Sequence, residues 1–145
     1  MDFFSSMRVS ASGLDAQMKR MNTISSNIAN AEVTRSPEGG PYKRRDPLLA
    51  AHTDHESFGE VLQNEMDENV QGVMVEEIVK DSRPPRMVYN PAHPDANPEG
   101  YVAMPNVNTV EEMANMISAQ RSYEANITAI NAAKAMAQKG LEIGR

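Results

Sequence analysis

One short segment has the residue types and spacing of a possible cation site. Asp95, Asn97 and Glu99 stand at alternate positions before Gly100, as oxygen ligands do in the first half of a calcium-binding loop. The twelfth position of such a loop is Asn106 here instead of a bidentate Glu, and no helix is expected before the segment. The segment is therefore predicted to form a plain turn.

Two further groups could bind a metal ion or an anion. His52 and His55 offer imidazole ligands, but they lie in an acidic stretch without a second set of residues to orient them. Lys43, Arg44 and Arg45 form a short basic run, which is more typical of a solvated strand face than of a nucleic-acid site. We expect neither group to carry the function.

The sequence contains no motif that predicts catalysis. It has no cysteine, which excludes disulfides, thiolate metal sites and cysteine nucleophiles. It has no glycine-rich phosphate loop, no nucleophile elbow and no carboxylate pair on predicted rigid elements. Its net charge of −6 disfavours nucleic acid as a partner. These features predict a protein that is not an enzyme, needs no cofactor or metal, and binds no small-molecule substrate.

Proline and charge divide the 145 residues into three parts. All nine prolines lie between Pro37 and Pro105, and residues 36–108 hold 13 of the 20 acidic side chains. The predicted parts are an N-terminal helix over 1–34, a proline-rich acidic middle region over 35–108, and a C-terminal helix over 109–145. No apolar run approaches the roughly 18–20 residues of a membrane span, and the first residues do not resemble a cleaved signal peptide.

Both predicted helices carry a seam of apolar residues at alternating spacings of three and four, typical of a coiled coil. The seam residues are Leu14, Met18, Met21 and Ile28 in the first helix and Met113, Met116, Tyr123, Ile127 and Ile130 in the second. Neither helix can bury its seam alone, so the two are expected to pair antiparallel. Gly13 is expected at a point of close packing. Outer faces rich in small and amide side chains favour head-to-tail assembly, with a monomeric helical hairpin as the alternative.

The middle region is expected to form small β hairpins. Strand-like segments cover residues 42–49, 73–80, 86–89 and 100–104. Residues 50–71 are acidic with ambiguous spacing, and we predict that they are poorly ordered. The predicted fold is mainly α with a small β insert, in which the terminal helices pair as a coiled coil and the hairpins project from the middle.

Two separate stretches resemble the terminal signatures of bacterial flagellar rod and hook proteins. Residues 10–17 (SASGLDAQ) and 27–31 (NIANA) resemble the N-terminal signature, and residues 110–113 (VEEM) and 116–126 (MISAQRSYEAN) resemble the C-terminal one. The short length and the middle strings at 89–91 and 100–107 are similar to the proximal-rod members. The resemblance is weakest over 50–71.

The resemblance implies a structural subunit of the flagellar basal-body proximal rod, polymerised through its terminal helices, that transmits torque and lines the export channel. Implied partners are further copies, the B-type and F-type proximal-rod proteins, the adaptor between rod and membrane ring, the membrane-ring protein, and the type III export gate. The implied location is the periplasm-spanning rod, reached without a cleaved signal peptide. The alternatives are another axial subunit of B or distal-rod type, a soluble coiled-coil adaptor, and a hydrolase.

Two sets of residues are expected to matter beyond the seam. Polar side chains on the two helices are expected to fix their register within or between subunits; these are Asn27, Asn30, Arg121, Glu124 and Asn126, beside Tyr123 of the seam. Phe3 and Met7 lie one helical turn apart and show their apolar side chains on one face. The family resemblance implies that this early pair is recognised by the export gate.

Overall fold

The computed structural model describes the backbone of residues 3–52 and 71–143. Along the chain, four strands lie between two long helices. The elements are α1 (Phe3–Ala29), β1 (Arg45–His52), β2 (Gly72–Lys80), β3 (Arg86–Tyr89), β4 (Tyr101–Met104) and α2 (Thr109–Ile143). The prediction of a mainly helical chain with a small β insert is confirmed. Across the described residues, no helix combines the length and hydrophobicity that crossing a membrane requires.

The predicted poorly ordered stretch begins too early. Residues 50–52 are the end of β1, where Ala50 pairs with Met74 and Ala51 with Val73. Their pairing with β2 extends the strand past the predicted boundary. The rest of that prediction, over 53–70, lies outside the described residues.

The two helices pack antiparallel. Near the end of α1, the Asn27 amide contacts the Glu112 carboxylate at the start of α2, with Nδ2 and Oε2 2.9 Å apart. Further towards the N-terminus of α1, Gly13 lies against Asn126, and a Cβ on Gly13 would be 2.9 Å from Asn126 Nδ2. Asn108 is the N-cap of α2, because its Oδ1 accepts a hydrogen bond from the Val110 N–H at 3.2 Å.

The face of α2 that turns inward differs from the predicted seam. Buried and half-buried residues follow one another at spacings of four and three: Glu112, Met116, Ala119, Tyr123, Asn126, Ile130, Ala133 and Ala137. Met116, Tyr123 and Ile130 were expected there, but Met113 and Ile127 are 52% and 38% exposed. The predicted seam followed the large apolar side chains, whereas small residues allow the helices to approach closely.

The inward face of α1 shows the same substitution of small and polar residues for large apolar ones. Its buried residues are Ala16, Thr23, Ile24 and Asn27. The predicted seam residues Leu14, Met21 and Ile28 are half-buried. Met18, the fourth, is 45% exposed, so its side chain lies largely outside the helix–helix contact of this chain, and its place in an assembly seam stays a prediction.

The hairpin of β1 and β2 lies along α1. Its strands are antiparallel, with a register shift between Leu48 and Leu49. One end is held where the Val73 N–H donates to Ser12 Oγ at 3.0 Å, and the other where Arg45 meets Asn27. β1 therefore runs antiparallel to α1 over about half of the helix.

A second antiparallel hairpin joins β3 to β4. The rings of Tyr89 and Tyr101 meet edge to face with centroids 5.3 Å apart. Gly100 has a φ of +84°, and a Cβ there would lie 2.8 Å from the Tyr89 ring. Glycine is therefore required in this turn for both its backbone conformation and the close ring. Val102, Pro105 and Val107 are buried behind it.

The close packing of the two helices is expected to require glycine at position 13, and Gly140 provides the comparison. Gly140 also lies inside a helix, but nothing stands within 4 Å of a Cβ built on it. Replacing Gly140 with Ala should stabilise the protein by up to about 1 kcal/mol through helix propensity. Gly13→Ala should lose that gain, because the new methyl group displaces the Asn126 side chain. Urea unfolding followed by circular dichroism measures both, and an equal gain from the two variants would contradict the assigned close contact.

Candidate assembly site

The side chain of Asn27 is the centre of a buried polar cluster that joins three parts of the chain. It is 1% exposed. Its Nδ2 donates to the Arg45 carbonyl at 2.8 Å and to Glu112 Oε2 at 2.9 Å. Its Oδ1 accepts from the Arg45 N–H at 2.9 Å and from the Tyr42 hydroxyl at 3.0 Å. Both donors and both acceptor positions of the amide are therefore occupied.

Glu112 brings a negative charge into this cluster with only 1% of its surface exposed. Arg44 Nε donates to its Oε1 at 2.8 Å, and the Arg44 guanidinium also reaches Asp46 at 3.1 Å. Burial lowers the pKa of Arg44, but its hydrogen bonds to Glu112 and Asp46 outweigh that effect and raise the pKa above its ordinary value. Arg44 is therefore cationic at any physiological pH and neutralises the buried carboxylate. We name the set Tyr42, Arg44, Asn27 and Glu112 the polar joint.

The polar joint was only partly visible in the sequence. Asn27 was expected to set the helix register, but Glu112 was not among the residues expected to do so. Arg44 was expected on a solvated strand face, which is wrong, because its side chain is 15% exposed and bound to Glu112. One signal was available: Glu112 stands four residues before Met116 and seven before Ala119, at the spacing of the inward face.

The other predicted register residues lie in different surroundings. Asn30 donates to the Ser26 carbonyl within α1 at 2.8 Å, so it makes no contact with α2 through this bond. Arg121 and Glu124 are exposed, and Glu124 accepts from Gln120 at 3.0 Å on the same helix. Asn126 lies against Gly13 at the helix crossing. A role for Arg121 and Glu124 between subunits stays a prediction.

Two surfaces of the chain expose large apolar side chains. The first, which we name the α2 stripe, consists of Val110, Met113 and Ile117, exposed by 76%, 52% and 54% at spacings of three and four residues. The second, which we name the hairpin face, is the exposed apolar surface of β1 and β2, to which Leu48, Leu49, Val73, Met74, Ile78 and Val79 contribute from both sides of the strands. Apolar surfaces of this extent are typical of sites where another protein binds.

The possible cation segment forms a turn that fixes the second hairpin to the end of α1. Asp95 accepts from the Thr34 hydroxyl at 2.8 Å and pairs with Arg35. The Asn97 side chain accepts from the Glu99 and Tyr101 N–H groups at 3.2 and 2.8 Å. The Asp95 carboxylate and the Asn97 side-chain oxygen thus already have partners within the protein. Within residues 3–52 and 71–143, no group of three potential metal ligands comes together.

Several predicted residues fall at or beyond the edges of the described part. Phe3 is the first residue of α1, but its side chain lies outside the described residues, whereas Met7 is half-buried. The side chain of His52 and all of His55 also lie outside them. The export and histidine predictions therefore remain predictions.

A pair of terminal helices that turns large apolar residues outward is the architecture of an assembly subunit. Two family models match these helices and their flanks: "Flagella basal body rod protein" over residues 7–35, and "Flagellar basal body rod FlgEFG protein C-terminal" over residues 99–143. The matches cover the two arms that the sequence analysis compared with rod and hook proteins.

Relatives that match over nearly their full length show which member of the flagellar rod proteins this chain resembles. The flagellar basal-body rod protein FlgC of Borreliella burgdorferi is 45% identical, over 99% of this chain and 98% of its own length. FlgC of Bacillus subtilis is 44% identical over the whole of both chains, and FlgC of Salmonella typhimurium is 37% identical over 94% of each. The chain belongs to the FlgC family of flagellar basal-body rod proteins. It is a structural subunit of the proximal rod, as the sequence resemblance implied.

The polar joint makes a direct prediction for stability. Asn27→Ala should destabilise the protein by about 3 kcal/mol, because the Glu112 carboxylate and the Arg45 N–H lose a partner in a buried place. Asn30→Ala is the matched control, since the Asn30 side chain, just after α1, donates to the Ser26 carbonyl in the last turn of that helix, and its loss should cost less than about 1 kcal/mol. Urea unfolding of the full chain measures both. Equal losses would show that the joint does not carry the helix packing.

The contacts of Asp95 predict that the stability of the folded protein decreases in acid. The hydrogen bond from Thr34 lowers the pKa of Asp95 from its ordinary value, and Arg35 adds to the shift, against an opposing effect of desolvation. The folded pKa is therefore below the unfolded one, so the stabilisation is complete at neutral pH and is lost as pH falls below about 4.

Asp95→Asn should remove this acid-dependent part. The urea midpoints of the variant and the unmodified protein should differ at pH 7 and converge as the pH falls through the folded pKa of Asp95. Glu99→Gln, an exposed carboxylate in the same connection, is the control and should leave the pH profile unchanged. A difference between Asp95→Asn and the unmodified protein that stays constant with pH would contradict the assignment.

Proposed function

We propose that the chain enters the rod through the α2 stripe and the hairpin face, with the paired terminal helices as the inner coiled-coil part of the tube. The exposed apolar residues of the α2 stripe carry this proposal, because a monomer gains nothing from keeping Val110, Met113 and Ile117 in water. The contacts are head to tail, because one surface binds a different surface on the next copy.

The proposed role is mechanical. Subunits joined in this way transmit torque along the rod and leave a central channel for export. A rod protein associates with copies of itself and with other rod components. The specific neighbours we propose are the B-type and F-type proximal-rod proteins, the adaptor between rod and membrane ring, and the membrane-ring protein. Arg121, Glu124 and the exposed Met18 and Ile127 are proposed contacts with these neighbours.

The same proposal covers how the chain arrives. It passes the type III export gate without a cleaved signal peptide and becomes part of the periplasm-spanning rod. The relatives carry the name of a rod protein, which supports a structural rather than an enzymatic role. The identity of 37–45% to FlgC proteins favours this over a distal-rod or B-type subunit, and over an unrelated coiled-coil adaptor.

Folding and assembly should separate in two variants. Met113→Glu puts a charge on the α2 stripe, where the residue is 52% exposed, so the purified chain should fold normally. In the rod the same charge would be buried without a partner, at a cost of several kcal/mol, and swimming should be lost. Leu14→Asp and Ile127→Asp extend the test. The substitution at the half-buried Leu14 should destabilise the folded chain, whereas the substitution at Ile127 should mainly impair assembly.

Ala132→Glu is the control, because it adds the same charge to an exposed part of α2 outside the stripe. Circular dichroism gives the folding of each purified chain, and motility with electron microscopy of basal bodies gives its incorporation. Normal rods in the Met113→Glu strain would refute the role of the stripe.

The early apolar pair predicts a separate defect in export. Phe3→Ser should keep the protein in the cytoplasm, because an export gate that binds a short helix through Phe3 and Met7 would lose one of its two apolar contacts. The purified Phe3→Ser chain should still unfold at the same urea concentration as the unmodified one. Immunoblots of periplasmic and cytoplasmic fractions provide the measurement. Export at the normal level would leave these residues with a packing role alone.

A further inference from the structure

A groove of about 340 Å³ lies at the end of α1, between the loop that leaves this helix and the beginning of β1. Lys43, Arg45 and Lys80 line it together with Ser26, Asn30 and Tyr42, and Glu38 is the single acidic residue among its lining. We name it the basic groove. It stands out in a chain whose net charge is −6.

Two of the three cations in the basic groove have no carboxylate partner among the described residues. Lys80 Nζ binds both carboxylate oxygens of Glu38, at 2.6 and 2.8 Å. The Arg45 guanidinium stands over the Tyr42 ring, 5.8 Å from its centroid, and the Lys43 side chain is exposed. The pKa of Glu38 is lowered, first by Lys80 and then by the charges of Arg45 and Lys43. The groove thus already binds one carboxylate, that of Glu38, and its remaining positive charge, on Lys43 and Arg45, can attract further carboxylates.

The acidic residues that could neutralise it are concentrated in one segment. Residues 53–70 contain six of the 20 acidic residues and none of the 14 basic ones, so they account for the whole net charge of the chain. This segment starts after His52, at the end of the hairpin remote from the groove, since Arg45 and Lys80 pair at the near end. Seven residue steps along a strand separate the two ends by about 23 Å.

We propose that the basic groove receives carboxylates from residues 53–70 of an adjacent copy. The donor segment is joined to the end of the hairpin that is remote from the receiving groove, so copies joined head to tail can bring one against the other. Within a single chain, the segment would have to fold back over the hairpin face, which the proposed assembly uses for other contacts. The inference rests on the proposed self-association in the rod and adds the charged contact that sets the direction of stacking.

Cross-linking between two single-cysteine chains tests this contact, because the natural sequence contains no cysteine. One chain carries Ser36→Cys in the lining of the groove, and the other carries Ser57→Cys in the acidic segment. Both are expressed in the same cells, and basal bodies are isolated and oxidised with copper phenanthroline. The expected product is a disulfide-linked dimer of the two chains. Adding Lys43→Glu to the first chain should lower its yield by about fivefold.

Arg86→Glu is the matched control for that charge reversal, since Arg86 is an exposed cation on β3 that does not line the groove. It should leave the dimer yield unchanged. Swimming cells that give no dimer overturn the inference and leave the proposed rod function standing. An internal disulfide in a chain carrying both cysteines, without dimer in the mixture, would also overturn it. Normal rods with Met113→Glu would instead count against the proposed function.

Discussion

The rest of the structure depends on the full hydrogen bonding of one buried amide, that of Asn27. Its four bonds tie α1 to the first residue of β1 and to the start of α2. An apolar side chain of the same size would leave the Arg45 backbone groups without their partner and would remove one of the hydrogen bonds to the buried Glu112 carboxylate, which is a large cost for a small core. The amide therefore fixes two things at once, namely the register of the helices and the place where the hairpin begins.

A second constraint follows from how closely the helices approach. Small residues such as Gly13, Ala16 and Ala119 occupy the contact, and polar groups fill its end at the joint. Some of the large apolar residues of α2, Met113 and Ile117 among them, lie outside this contact and point outward. We propose that this exposed apolar surface is used for contacts with neighbouring subunits. Membership in the FlgC family supports the proposal, because a rod protein associates with copies of itself and with other rod components.

The sequence predicted the elements well because their signals are local. The Pro-free arms and the three-four spacing identified both helices, and strand-like segments between turn residues identified all four strands. The inward faces were predicted less well, because a rule based on hydrophobicity cannot tell a residue buried in the chain from one buried between chains. Met113 and Ile127 satisfy that rule and are exposed, whereas Glu112 violates it and is buried. The buried place of Arg44 was missed for a different reason, because its partner Glu112 lies 68 residues away in the sequence.

Hydrogen exchange at one backbone amide tests the central claim most directly. The Arg45 N–H points away from β2 and is bonded to the Asn27 side chain alone among the described groups. If the polar joint governs the helix pair and the hairpin together, this amide should exchange as slowly as the backbone amides in the middle of α1. It should lose that protection in a Glu112→Gln variant, together with the middle of α1. An Arg45 amide that exchanges at the rate of an open strand edge, while α1 stays protected, would contradict the account.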